Sequence, residues 1–230
     1  MEEKEFWEDY EIIRNEVDRA IEAYYTYISI HRIAHENRDI YLAMNQNSTF
    51  WNINLYALQT TFFITMGRIF DNGNDAHSVH KLLSSVLAHP NFFTKEALSK
   101  RKINGNEKPL WLDDYLKNVF EPGIPDLRQI KNRLKPYRKK FDEAYRDIRN
   151  TVFAHTIAKD SEAVSKLFGN TKISEIEDIL YVLEDLLESL WQLYHNGRCL
   201  EFNKISKDYV SRIEQNTHEV LQKLIAVEKA

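Results

Sequence analysis

The chain has 230 residues, and its six glycines and five prolines together make up under 5% of it, against roughly 12% in average globular proteins. Strands joined by hairpins need turn residues every eight to twelve positions or so, which excludes β-sandwiches and barrels and predicts an all-α fold. The formal charge of −4 excludes a uniformly basic nucleic-acid-binding protein. The single cysteine, Cys199, excludes an internal disulfide, as expected in the reducing cytoplasm.

The first predicted element is a long amphipathic helix, because apolar residues recur at spacings of three and four from Phe6 to His31. A second helix is predicted to begin near Ser48, a suitable N-cap, and to end at the turn residues from Asp71 onward. Because it is apolar on more than one face, we expect it to be the most buried helix. Residues 40–67 carry no formal charge, but their Asn, Gln and Thr side chains favour a buried helix over a membrane span. No membrane partner is expected.

The middle of the chain is richer in helix-breaking residues, since all five prolines and three of the six glycines lie between Gly73 and Pro136. Short helices are predicted there near residues 77–88, 94–103 and 111–120. They form a short-helix insertion at about 73–125 in what is predicted to be a single domain of residues 1–230.

Three further helices are predicted after the insertion. Pro136 should start or kink the first, because its ring fixes φ and it lacks an N–H. Ser174 and Glu177 match a capping box for the second, and Ser206 is expected to cap the last. With the first two helices, these elements predict an up-and-down helical bundle of long antiparallel helices.

The histidine pairs are weak candidates for metal binding. His31 and His35 lie one helical turn apart, but the residues between them lack the glutamate of an H-E-x-x-H zincin. His77 and His80 are similarly spaced beside a loop, and packing or surface exposure is the favoured interpretation of both pairs. Walker A, G-x-G-x-x-G and G-x-S-x-G patterns do not occur in the sequence. We therefore predict neither a metal nor a cofactor.

A basic run opposes the overall acidity of the chain. From Arg128 to Lys140 there are seven cations and no acid, and Asp126 lies just before the run. Such a run can hold a phosphate backbone, with Tyr137 or Tyr145 available to stack on a base. The residues predicted to bind RNA are Lys131, Arg133, Lys135, Arg138 and Lys139. The alternative is a solvated helix face whose cations pair with carboxylates of another helix.

The segment after this run reads Arg149-Asn150-Thr151-Val152-Phe153-Ala154-His155. It resembles the Arg-x4-6-His signature of the HEPN superfamily, all-α proteins that include many metal-independent ribonucleases of toxin–antitoxin, abortive-infection and CRISPR systems. A polar residue directly after the arginine is typical of that family, and Asn150 supplies it. Arg68 to Asp71 close the second helix, and this arrangement resembles the abortive-infection branch.

The spacing of the signature is weakly specific, since chance predicts about 1.4 such matches in a chain of this composition. Arg212 and His218 form a second match. Ile213 stands where the family has a polar residue, and no basic run precedes it. We therefore favour the segment from Arg149 to His155.

The resemblance implies an endoribonuclease that cleaves single-stranded RNA at a composite cleft of a homodimer. Arg149 would grip the scissile phosphate, His155 would transfer protons, and Asn150 would orient His155 or a phosphate oxygen. An antitoxin protein as partner and an antiviral defence role are also implied. On an unbroken helix Arg149 and His155 would lie about 120° apart around the axis. The helix should therefore loosen near Ala154, or a second subunit should complete the site.

Other interpretations of these residues remain open. His155 continues the apolar stripe of Tyr145 and Ile148, as a core histidine would. Arg68 and Asp71 could support the site, but an internal ion pair with a helix-end cap is favoured. The alternative function is a non-catalytic HEPN-like helical module that binds a partner.

Overall fold

The computed structural model describes residues 2–73, 76–154, 171–199 and 207–227, and every regular element within them is helical, which confirms the all-α prediction. The α-helices are α1 Glu3–Glu36, α2 Arg38–Gln46, α3 Ser48–Ile69, α4 Val79–Ala88, α5 Lys95–Ile103, α6 Leu112–Lys117, α7 Ile124–Lys140, α8 Arg146–Ile148, α9 Ile173–Asn196 and α10 Lys207–Val227. A 3₁₀ helix covers Pro90–Phe93, and π-helices cover Phe141–Tyr145 and Arg149–Ala154. No helix in the described ranges is long and apolar enough to cross a membrane.

The contacts between residues divide the chain into two compact units. The first unit comprises Met1–Asn15, Arg68–Glu143 and Lys172–Ile205. The second unit comprises Glu16–Gly67, Ala144–Thr171 and Ser206–Ala230. The single domain over residues 1–230 stays a prediction.

The core of the first unit forms around α9, whose apolar stripe from Ile176 to Tyr194 is buried. The Tyr10 hydroxyl donates to the backbone oxygen of Leu187 at 3.0 Å, which joins α1 to this helix. Arg101 of α5 donates to the backbone oxygen of Tyr194 at 2.7 Å and lies 3.9 Å from the centre of its ring. This largely buried cation is stable because oxygen atoms and a ring face replace much of its water.

The second unit has its own apolar cluster, to which α1, α2, α3 and α10 contribute. The cluster contains the buried residues Ile30, Ile33, Ile40, Met44 and Leu221. Asn37 begins α2, because its side-chain oxygen accepts hydrogen bonds from the backbone nitrogens of Asp39 and Ile40 at 3.0 and 3.2 Å. This N-cap turns the chain so that one side of α2 packs against α1.

Helices α1 and α3 and the three short helices α4, α5 and α6 lie close to their predicted positions. Helix α2 was not predicted. Ser206 lies outside the described residues, so its role as a cap stays a prediction.

Pro136 does not start a helix, since it lies inside α7, and a kink at this residue stays a prediction. The helix begins earlier, after Gly123, whose backbone nitrogen donates to Asp126 at 2.8 Å. Pro125 sits in the first turn, where a missing N–H costs nothing. The capping box at Ser174 is also wrong, because α9 already begins at Ile173.

The prediction that α3 is the most buried helix is wrong for its first half. Phe50, Ile53 and Tyr56 are exposed by 49% to 61%. The helix is apolar on more than one face, as predicted, but only one of these faces packs against the cluster of the second unit.

Candidate functional site

The predicted signature begins in a segment that departs from α-helical geometry. Residues Arg149–Ala154 form a π-helix directly after α8. A π-helix closes its hydrogen bonds over five residues instead of four, so the turn is wider, and such segments are frequent at functional sites. The helix is therefore wider than an α-helix from Arg149 to Ala154, and this agrees with the expectation that it loosens near Ala154. His155 itself lies outside the described residues.

The side chain of Arg149 lies directly against the backbone of α3 within the second unit. A Cβ atom added at Gly67 would be 2.6 Å from Nε of Arg149 and 3.2 Å from its Cδ. Any side chain at position 67 would therefore displace the arginine, since real Cβ contacts are not that short. The absence of a side chain at Gly67 gives Arg149 its place.

Hydrogen bonding further orients the Arg149 guanidinium. Its Nη1 donates to Oδ1 of Asn150 at 2.8 Å. Its Nε is buried and has no hydrogen-bond partner among the described residues. The remaining N–H groups on the two terminal nitrogens are those that can reach an anion, and a guanidinium binds phosphate strongly through paired N–H groups.

Aromatic contacts hold the π-helix on α3. The Phe153 ring stacks on that of Phe63 at 4.9 Å with an interplanar angle of 12°, and it lies 5.9 Å from the ring of Tyr56. Offset aromatic pairs contribute about 0.5–1.5 kcal/mol beyond the area they bury. The residue two positions before His155 is thus anchored on α3.

The second sequence match occupies a different kind of segment. Arg212 and His218 both lie on α10, which is a regular α-helix throughout its described length. Arg212 packs over the ring of Tyr209 at 5.5 Å, and His218 pairs with Gln222 at 3.3 Å. Both side chains have local partners on their own helix.

The basic run lies on α7, in the first unit, and one of its members has a clear structural partner. Nη2 of Arg133 is 3.0 Å from Oδ2 of Asp185, whose side chain is only 7% exposed. Burial raises the pKa of the Asp185 carboxyl, and the charge of Arg133 opposes that rise. The alternative interpretation, in which the run pairs with another helix, is therefore confirmed for Arg133.

The other cations of the run are bound more loosely or exposed. Lys131 donates to the Ser84 hydroxyl at 3.1 Å, and Lys139 lies 3.6 Å from Glu143 in an exposed pair. Arg138 bonds Asn72 and lies 3.8 Å from Asp142, while Lys135 is exposed. The exposed pair of Lys139 and Glu143 contributes little to stability, so Lys139 and Lys135 are available to a polyanion.

Arg68 and Asp71 lie at the end of α3, in the first unit. The Asp71 carboxylate accepts a hydrogen bond from the backbone nitrogen of Gly73 at 2.8 Å, which supports the turn that ends the helix. This contact agrees with the favoured interpretation of Asp71 as a cap. A supporting role of either residue for Arg149 stays a prediction.

The histidine pairs lie at the surface. His31, His35, His77 and His80 are all exposed. His31 packs its ring against Tyr27 at 4.5 Å, and Nδ1 of His77 lies 2.6 Å from Oδ1 of Asp9. These contacts confirm packing and surface exposure as the interpretation.

The sequence did not predict a cavity of about 870 Å³ in the first unit. It lies between α6 and the polar side of α9, and its lining includes Trp111, Tyr115, Ser189, Gln192 and Cys199. The signal that the sequence offered was Trp111, a tryptophan close to Pro109 in the proline-rich middle of the chain. In the structure its side chain is 53% exposed. The lining of this cavity includes none of the residues predicted to bind or cleave RNA.

The all-α fold is the one expected of a HEPN-type helical protein. The chain matches the HEPN_AbiU2 family model, described as AbiU2, over residues 3–222, and it belongs to this HEPN-type abortive-infection family. No curated protein and no solved structure matches the chain.

Proposed function

We propose that the protein is a metal-independent endoribonuclease that cleaves single-stranded RNA with Arg149, Asn150 and His155. The observation that carries the proposal is the placement of Arg149. Its shaft lies against Gly67, its Nη1 is bonded to Asn150, and it opens the π-helix that leads to His155. Membership in a HEPN-type abortive-infection family supports the same function.

The chemistry needs only these side chains. An imidazole has a reference pKa near 6.5, so His155 can accept the proton of a ribose 2′-hydroxyl close to neutral pH. The 2′-oxygen then attacks phosphorus, a 2′,3′-cyclic phosphate forms, and the bond to the 5′-oxygen breaks. The leaving 5′-oxygen takes up a proton from an imidazolium. Arg149 stabilises the negative charge that builds on the phosphoryl oxygens.

The biological setting belongs to the same proposal. Abortive-infection membership supports a role in antiviral defence, with an antitoxin protein as a partner that restrains cleavage in the cytoplasm. A homodimer would supply two arginines and two histidines from one signature per chain, because a two-fold axis repeats every residue. Lys131, Lys135, Arg138 and Lys139 would bind the RNA backbone.

The first prediction concerns RNA cleavage without metal. Purified protein should cut a labelled single-stranded RNA in EDTA, and Arg149→Ala or His155→Ala should lower the rate at least about 100-fold, since each removes a group used in the transition state. Arg212→Ala is the matched control, because Arg212 has the same spacing to a histidine, and it should cut at the original rate. A 2′-deoxy residue at the scissile position should block cleavage there.

Two results would contradict this proposal. Intact protein that cuts no RNA in EDTA would favour the non-catalytic helical binding module. Equal loss of activity in the Arg149→Ala and Arg212→Ala variants would show that the arginine of this signature has no special role.

A further inference from the structure

Helix α2 and the first half of α3 carry an apolar surface that stays exposed among the residues the structure describes. Its large side chains are exposed by 47% to 61%: Tyr41, Leu42, Phe50, Ile53 and Tyr56. The last three recur every third residue, so they lie along one side of α3. We name these five residues the α2–α3 face. Exposed apolar clusters of this size are typical of interaction sites.

The α2–α3 face also lacks charge. Residues 40–67 contain no Asp, Glu, Lys or Arg, whereas a stretch of that length at the chain's charged fraction of 29% would carry about eight. Burial explains the absence of charged residues only at those positions of the stretch that are buried. Twelve positions between residues 41 and 57 are exposed, and none of them is charged. Surface helices normally carry charges on such positions, so another constraint acts here.

We propose that the α2–α3 face is the surface on which two copies of this chain form a homodimer. A two-fold axis sets a patch against its own copy, so any charge near the axis would meet a like charge. An uncharged face avoids that repulsion. Its Tyr, Phe and Ile side chains match the core of an interface, which is rich in aromatic residues and poor in charged ones.

The face is continuous with the candidate site along α3. Tyr56 belongs to the face and contacts Phe153, whose ring is 5.9 Å away and which precedes His155 by two residues. Farther along the same helix, Gly67 contacts Arg149. A dimer formed through α3 would therefore bring both signature segments to the border of one interface. In this respect the inference rests on the proposed function and names the surface that assembles its site.

The test measures the mass of the full chain in solution by light scattering at micromolar concentrations. The intact protein should be a dimer. Ile53→Glu should be monomeric at the same concentrations, because two carboxylates then meet at the interface. Ile173→Glu is the matched control, since Ile173 is also exposed at 58% but lies at the start of α9 in the first unit. It should remain dimeric.

A charge exchange sharpens the test. Ile53→Lys alone should also be monomeric, while an equimolar mixture of Ile53→Glu and Ile53→Lys should dimerise again, because opposite charges then face each other. Cooperative thermal unfolding and a helical circular dichroism spectrum of each variant would show that it folds, as expected for a change at a side chain that is 61% exposed.

Several outcomes would overturn the inference: a monomeric intact protein, dimeric Ile53→Glu, or a mixture that stays monomeric. A monomer that sediments with phosphatidylcholine vesicles would assign the face to a membrane surface instead. RNA cleavage is read separately from mass. A dimer sensitive to Ile53→Glu that cuts no RNA would contradict the proposed function alone, and active protein with dimeric Ile53→Glu would contradict this inference alone.

Discussion

Gly67 is a glycine inside a helix, where it costs about 1 kcal/mol relative to alanine. Its backbone φ is not in the left-handed region, so conformation does not explain it. The contact with Arg149 does, because Nε of the arginine occupies the space that a Cβ would need. At the residue scale, the position of Arg149 therefore depends on a residue that carries no chemistry of its own.

Gly67→Ala should separate stability from activity. Alanine is the better helix former, so the melting temperature should stay equal or rise. The arginine must move away from α3, and a shift of about 1 Å in a catalytic group can lower a rate roughly 100-fold, so RNA cleavage should fall. Gly73→Ala is the control, since its nearest contact would be an ordinary 3.4 Å from Asp71. Full cleavage by Gly67→Ala would show that Arg149 needs no fixed position.

The residues of the site differed in how far they could be predicted. Arg149 and Asn150 are adjacent and form a recognisable signature, so the sequence was enough to nominate them. Gly67 is far from Arg149 in sequence and belongs to no periodic pattern, because a missing side chain leaves no signal. The sequence also carried no signal for the partner of Arg133, a residue that was predicted to bind RNA. Its partner Asp185 is on another helix, and only the fold brings the two together.

At the scale of elements, α7 combines a structural cation with cations at the surface. Arg133 neutralises a carboxylate that is almost completely buried, whereas Lys135 is exposed. A buried charge that loses its partner keeps its desolvation cost and gains nothing in return. The two residues are therefore expected to respond differently to the same substitution.

Arg133→Gln should lower the free energy of unfolding by about 1–3 kcal/mol, because Asp185 then loses its charged partner. Lys135→Gln should change it by less than about 0.5 kcal/mol but weaken RNA binding and reduce its salt dependence. Urea unfolding and RNA titration at two salt concentrations measure both effects. Equal stability of the two variants would contradict the structural role of Arg133.

The elements themselves show where local sequence is sufficient. Helices α1, α3, α4 and α5 have clear periodicity or caps, and their positions were predicted well. Helix α2 has only nine residues and follows α1 after Asn37 alone, so the pattern offered no break to detect. The predicted helix start at Pro136 was wrong because a local rule disfavours proline inside helices, whereas α7 continues on both sides of it. Tertiary packing outweighs such a local preference.

At the scale of the whole molecule, protonation links stability to pH. Among the residues that the structure describes, burial lowers the pKa of His31, His80 and His195 below the ordinary value of 6.5. The folded protein therefore binds fewer protons than the unfolded chain in the window just below pH 6.5. Because the pKa values of these histidines are lowered on folding, their effect on stability is absent well above pH 6.5, and stability should fall as the pH falls through that value.

His195 offers the most specific test of this linkage. Its ring lies edge-on to Trp7 at 4.5 Å, and after burial the charges of Arg101 and Lys102 further lower its pKa. Protonation would place a cation against two others, so the folded state resists it. Glutamine in the His195→Gln variant cannot titrate. The stability of this variant should therefore depend less on pH between about 7 and 5.5 than that of the intact protein.

The raised pKa of Asp185 changes stability with pH in the opposite direction. Its ordinary pKa is 3.8, so this effect lies at lower pH than that of His195. Urea unfolding at a series of pH values measures both slopes, and identical slopes would mean that His195 takes up its proton as readily in the folded chain as in the unfolded one.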